Sequence, residues 1–129
     1  MPGAERIHCL QNILKDNGLA GAVLFHSRDV YYYTNTAQPA YLVIRPDQYM
    51  LFVRRGYDIA IGESWLDAGR IANERSLGKI IQTMFPGPAL PGEKIGTELD
   101  LLTILQARVL NRAFNGRKLC DISPHVLRQ

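Results

Sequence analysis

Cysteine is scarce in this 129-residue chain: only Cys9 and Cys120 are present. They lie far apart, each flanked by apolar periodicity, and so read as reduced core residues rather than a bridge. Long apolar runs are missing as well, and none approaches the roughly 20 residues of a membrane span. Met1 to Arg6 lack the apolar core of a signal peptide, which leaves a cytoplasmic location as the default. There is no basic stripe. Fifteen Lys and Arg stand against twelve Asp and Glu, for a net charge of +3. The basic residues are scattered, with Arg54-Arg55 the tightest pair, and no stacking aromatics interleave them. That pattern gives no support to nucleic-acid binding.

Catalytic signatures are also wanting. No Gly-x-Ser-x-Gly elbow occurs. Gly18 and Gly21 are too few for a phosphate-binding loop and precede a strand, not a helix. His8, His26 and His125 lack a partner at the short His-x-x-x-His spacing of a zinc site and read as structural or surface residues. Neither cysteine carries the local signature of a catalytic thiol.

What is present is the composition of one soluble domain, 47% hydrophobic and 21% charged, long enough to bury roughly two thirds of its unfolded surface. Residues 4–17 show helical spacing at Ile7, Leu10, Ile13 and Leu14, with Gly18 as a stop. Ala20 to Phe25 reads as a buried strand. Tyr31-Tyr32-Tyr33 cannot all share one face of a helix or strand, so the triplet is expected to span a change of structure, leading by a turn into the next strand. Residues 41–45 and 49–53 form a strand pair around the turn residues Pro46-Asp47-Gln48, a hairpin pattern. Tyr57 to Ser64 reads as a short helix, Ala68 to Ala72 as a weak strand and Ser76 to Met84 as a helix. Phe85 to Glu93, with three prolines and two glycines, is a surface loop or a hinge between two halves. Lys94 to Thr97 is a strand, Leu99 to Asn115 the strongest helix, and Lys118 to Asp121 a last strand. Ser123-Pro124 then opens a helix, with Ser as its N-cap. A hairpin inside an alternating order predicts a mixed sheet with helices packed on it.

Candidate chemistry is sparse. Glu98 and Asp100 read as helix-initiating carboxylates at the positive end of a dipole, against a general acid–base pair. Tyr31, Tyr32, Tyr33, Tyr41 and Tyr57 read as half-buried packing residues, against the lining of a ligand groove. Arg54 and Arg55 end a strand; the alternatives are a solvated strand end and a fork for a carboxylate.

Several segments in order carry a resemblance. Arg6 leads the first helix, and Gly18-Leu19-Ala20-Gly21-Ala22-Val23-Leu24 follows. Then come Asp29-Val30-Tyr31-Tyr32-Tyr33-Thr34-Asn35-Thr36, a hairpin ending Leu51-Phe52-Val53-Arg54-Arg55, and Glu63-Ser64. Ile95-Gly96-Thr97-Glu98-Leu99-Asp100 and Asp121-Ile122-Ser123-Pro124 complete the series. Together they resemble the N-terminal domain of the creatinase/prolidase/Xaa-Pro aminopeptidase metallopeptidases, most of all the bacterial Xaa-Pro aminopeptidase-like members, from about Arg6 to Arg128.

The resemblance implies a ribonuclease-H-like α/β fold and a single domain over residues 1–129, without the pita-bread catalytic domain. It implies no cofactor in this chain and two divalent metal ions (Mn, Co or Zn) in that missing domain, held by ligands with no counterparts here. The implied role is non-catalytic: assembly of a dimer or larger homo-oligomer, and control of the access of short proline-containing peptides to the parent hydrolase. The positions so indicated are Gln38, Tyr41 and Arg54, within and beside the loop from Asn35 to Tyr41. Asn35 stands where the family often has Gly, and Asn tolerates the left-handed conformation. Two other classes stay open. One is a self-standing binding module with a pocket near Tyr41 and Arg54. The other is an independent hydrolase or nuclease using Asp29, Asp58 and Glu98 with a metal.

Overall fold

A computed structural model describes residues 3–98, 108, 112–114 and 117–125 of the chain. Its first element, α1 (Gly3–Asp16), turns Ile7, Leu10, Gln11 and Leu14 inward. It ends in a Schellman closure: Gly18 adopts φ +66, its N–H donates to Lys15 O, and Leu19 N–H donates to Leu14 O. Glycine takes this left-handed position without a Cβ penalty.

Among the described residues six strands follow: β1 (Gly21–Leu24), β2 (Ala40–Ile44), β3 (Tyr49–Val53), β4 (Ile71–Asn73), β5 (Lys94–Thr97) and β6 (Lys118–Asp121). They form one sheet in the order β4-β3-β2-β1-β5-β6. The β2–β3 hairpin is antiparallel, with Tyr41 opposite Phe52 and Leu42 opposite Leu51. β1 runs antiparallel to β2 and parallel to β5, while β4 and β6 pair in parallel with β3 and β5. An antiparallel trio continued beyond β1 by strands parallel to it is the mixed sheet the element order predicted, and the ribonuclease-H-like one the resemblance implied.

The period-2 alternation of the strands divides the core into two layers. Ala22, Leu24, Leu42, Ile44, Leu51 and Val53 face α1, α2 (Ser27–Thr34) and α3 (Tyr57–Glu63). Val23, Val43, Phe52 and Ile95 face α4 (Leu77–Met84) and Phe114. Within α4, Leu77, Ile80, Ile81 and Met84 are buried, and Ser76 caps the helix by accepting from Lys79 N–H.

Four expectations change. The tyrosine triplet does not bridge two elements; it lies inside α2. The weak strand over 68–72 becomes a 3₁₀ turn, Ala68–Arg70, before β4, because Arg70 N–H closes back on Asp67 O. Cys9 is exposed rather than in the core, while Cys120 is half-buried, and both are free thiols. Ser123–His125 is a 3₁₀ turn, with Ser123 bonded to the Asp121 carboxylate through its own N–H and hydroxyl. Most of the helix read over Leu99 to Asn115, with Asp100, lies outside the described residues.

Candidate functional site

The tyrosines sit on α2 because consecutive helical residues step by about 100°. Tyr31 points to solvent, Tyr32 is half-buried, and Tyr33 is 3% exposed. The Arg6 guanidinium lies 4.2 Å over the Tyr32 ring and donates to Tyr32 O at 2.7 Å. Tyr32 meets Tyr33 edge-on with ring centroids 5.1 Å apart. Burial, then the neighbouring Tyr32 and Asp29, push the Tyr33 hydroxyl well above its ordinary value, so it stays neutral. The triplet is therefore chiefly packing. His26 caps α2, its Nδ1 accepting from Arg28 N–H at 3.3 Å. Asn35 ends the helix at φ 65, ψ 14, the left-handed cap that Asn was expected to tolerate.

The loop that follows is pinned from α3. Thr36 Oγ1 donates to Glu63 Oε1 at 2.7 Å, and Ala37 N–H reaches the same oxygen at 3.3 Å. The Gln38 side chain also bonds to this carboxylate, and these contacts, that of Thr36 first, hold Glu63 below its usual range. Ser64 Oγ donates to Thr34 O at 2.6 Å, and Trp65 Nε1 donates to Tyr33 O at 2.8 Å. Glu63-Ser64 stood out in the sequence as a motif without a role. Its role is to hold the chain from Thr34 to Gln38.

Gln38, Tyr41 and Arg54 come together at one end of the hairpin. Arg54 N–H donates to Pro39 O at 2.8 Å, and its guanidinium lies 5.4 Å from the centroid of the Tyr41 ring. The Gln38 side chain lies against Gly56, where a Cβ would stand 2.3 Å from its Oε1. Gly56 has φ +73 as well, so this approach and this backbone both require glycine. Arg54 is exposed, and Gln38 and Tyr41 are half-exposed. The edge thus exposes a cation beside a phenol, next to the Gln38 side chain that Glu63 engages.

A second grouping was only partly read. Asp29 and Glu98 are fully buried, and with His26 their donor atoms lie within 4.8 Å of one another. Asp58, the third carboxylate of the proposed metal set, is exposed on α3 and lies outside this group. Glu98 Oε1 accepts from Phe25 N–H at 2.6 Å and His26 N–H at 3.2 Å. Glu98 thus ties the end of β5 to the end of β1, beyond the helix-initiating role expected of it. Glu98 Oε1 and His26 Nδ1 are engaged by backbone N–H groups, whereas Glu98 Oε2 is buried without a hydrogen-bond partner among the described residues.

One polar site was missed altogether. Arg117 is 7% exposed. It donates to the Glu93 carboxylate and to the carbonyls of Phe85, Gly87 and Phe114, closing the proline-rich loop onto β6. It also helps line a cleft of about 490 Å³ beside α4, but its guanidinium is committed to these bonds.

The family model of the Creatinase/Prolidase N-terminal domain matches residues 6–129. This chain belongs to that family. Among solved structures, it superposes on an Xaa-Pro dipeptidase from Bacillus anthracis with a TM-score of 0.76 at 16% identity, covering 95% of this chain and 34% of that one. The creatinase/prolidase N-terminal domain of an X-Pro dipeptidase from Streptococcus pyogenes gives 0.73 at 16% identity, covering 96% and 97%. The N-terminal domain of a cytoplasmic peptidase, PepQ, from Mycobacterium tuberculosis gives 0.71 at 21%, covering 92% and 93%. None of the curated proteins matches. The chain spans about a third of the length of the Bacillus anthracis protein. Creatinase-type N-terminal domains thus share its mixed sheet and helices.

Proposed function

We propose that this chain is the non-catalytic N-terminal domain of a cytoplasmic, metal-dependent Xaa-Pro peptidase, and that it contributes to oligomer assembly and to substrate access. The observation that carries this reading is the family match over residues 6–129. The catalytic domain, the two divalent ions (Mn, Co or Zn) and the proline-containing peptides belong to the remainder of the parent enzyme. When bound there, the metals supply an activated water for peptide hydrolysis. No residue described in this chain enters that step.

The part assigned to this chain is recognition. The edge formed by Gln38, Tyr41 and Arg54 faces outward and is held in shape by Glu63 and Gly56. A guanidinium beside an aromatic ring suits the carboxylate of a short peptide. The test is Arg54→Ala in the parent enzyme with its catalytic domain. A rise in KM for an Xaa-Pro dipeptide with little change in kcat supports the assignment, because lost ground-state binding has that signature. Unchanged kinetics removes Arg54 from the site.

A further inference from the structure

The buried Asp29–Glu98 pair has no part in peptide recognition, yet it joins three elements. Glu98 follows β5, and its Oε1 accepts the N–H groups of Phe25 and His26, where β1 passes into α2. Asp29 lies in the first turn of α2, and a carboxylate oxygen of each of the two residues lies within 4.8 Å of the other's. Two carboxyl groups so placed can bond to each other only if one of them carries a hydrogen. Two carboxylates this close, both fully buried, would repel with little water to screen them. No lysine or arginine among the described residues forms an ion pair with Glu98.

We propose that Asp29 and Glu98 share one proton at neutral pH, and that this proton latches the start of α2 to the ends of β1 and β5. Its loss loosens α2 and, with it, the loop from Asn35 to Tyr41. Among the described residues, the titratable groups around the pair are His26 at the helix cap and the neutral hydroxyl of Tyr33 on α2, with Cys9 of α1 beyond it. A proton fits better than a cation, because one oxygen of Glu98 already holds two amides and His26 Nδ1 holds a third. Burial, reinforced by the bond to Asp29, pushes Glu98 up to about 8 from an ordinary 4.5. Between those values the folded chain binds a proton that the unfolded chain has released. Stability is therefore full below about 4.5 and is lost as pH rises through about 8.

The inference does not depend on the peptidase reading, and its experiment needs only this chain. Urea unfolding is followed from pH 5 to pH 9 for the wild type, Asp29→Asn and Glu98→Gln. An amide in either place supplies the missing hydrogen without a charge. The wild-type unfolding constant should grow with pH, by at most about tenfold per unit for one proton. Both variants should lose that slope. In NMR spectra, the Phe25 amide of the wild type should titrate near pH 8, and that of Asp29→Asn should not. A wild type flat from pH 6 to 9, or a slope that survives in both variants, overturns the shared proton. So does a wild-type midpoint at pH 6 that rises in Mn²⁺ or Zn²⁺ and falls back with chelator, which would put a cation in its place.

Discussion

At the scale of single residues, side chains that bond to backbone do most of the positioning. Glu63 gathers the Thr36 hydroxyl and the Ala37 N–H on one oxygen. Glu63→Ala should therefore shift and broaden the amide resonances of residues 36–38 while leaving those of α4 in place. Glu63→Gln, which keeps an acceptor oxygen, should shift them less. The wild-type shifts at Ala37 should also titrate with a midpoint below the ordinary glutamate value, since hydrogen bonds favour the ionised form. The contribution of this carboxylate is present above the unfolded pKa and lost as pH falls through the lowered folded one. Asn35 gives a second test. At φ 65, Asn35→Gly should be nearly neutral or mildly stabilising. Asn35→Val should cost on the order of 1–2 kcal/mol in chemical unfolding, because a β-branched residue is strained there.

At the scale of elements, the fold rests on two apolar layers and a few polar sutures. Ile80, fully buried on α4, should cost about 2–5 kcal/mol when cut to alanine. Arg117→Met should cost about 3 kcal/mol, since it strands the half-buried Glu93 and the carbonyls of Phe85 and Gly87. Periodicity made α1, α4 and the hairpin legible, because each repeats its apolar residues at the spacing of its own geometry. It failed at α2, where three adjacent tyrosines mask the helical period; the Asn35 cap marks the end of that helix. The bonds of Glu98 were illegible for a different reason: its partners Phe25 and His26 lie more than seventy residues away. Arg117 and Glu93 escaped notice because nothing local distinguishes a buried charge from a solvated one. Gln38, Tyr41 and Arg54 were indicated by the family resemblance, and the hairpin places Tyr41 and Arg54 at one end of the sheet.

At the scale of the whole molecule, the proposed function gives this chain the part of a scaffold. The edge of Gln38, Tyr41 and Arg54 is built on a rigid hairpin end and a loop fixed from α3. A recognition surface benefits from such preorganisation, since less ordering is left to occur on binding. The most direct measurement is Xaa-Pro dipeptide hydrolysis with added Mn²⁺, Co²⁺ or Zn²⁺, made in parallel on residues 1–129 and on the product of the full open reading frame. The account predicts no turnover by residues 1–129 and metal-dependent turnover by a longer gene product. Turnover that tracks purified residues 1–129, or a reading frame that ends at Gln129, would contradict it.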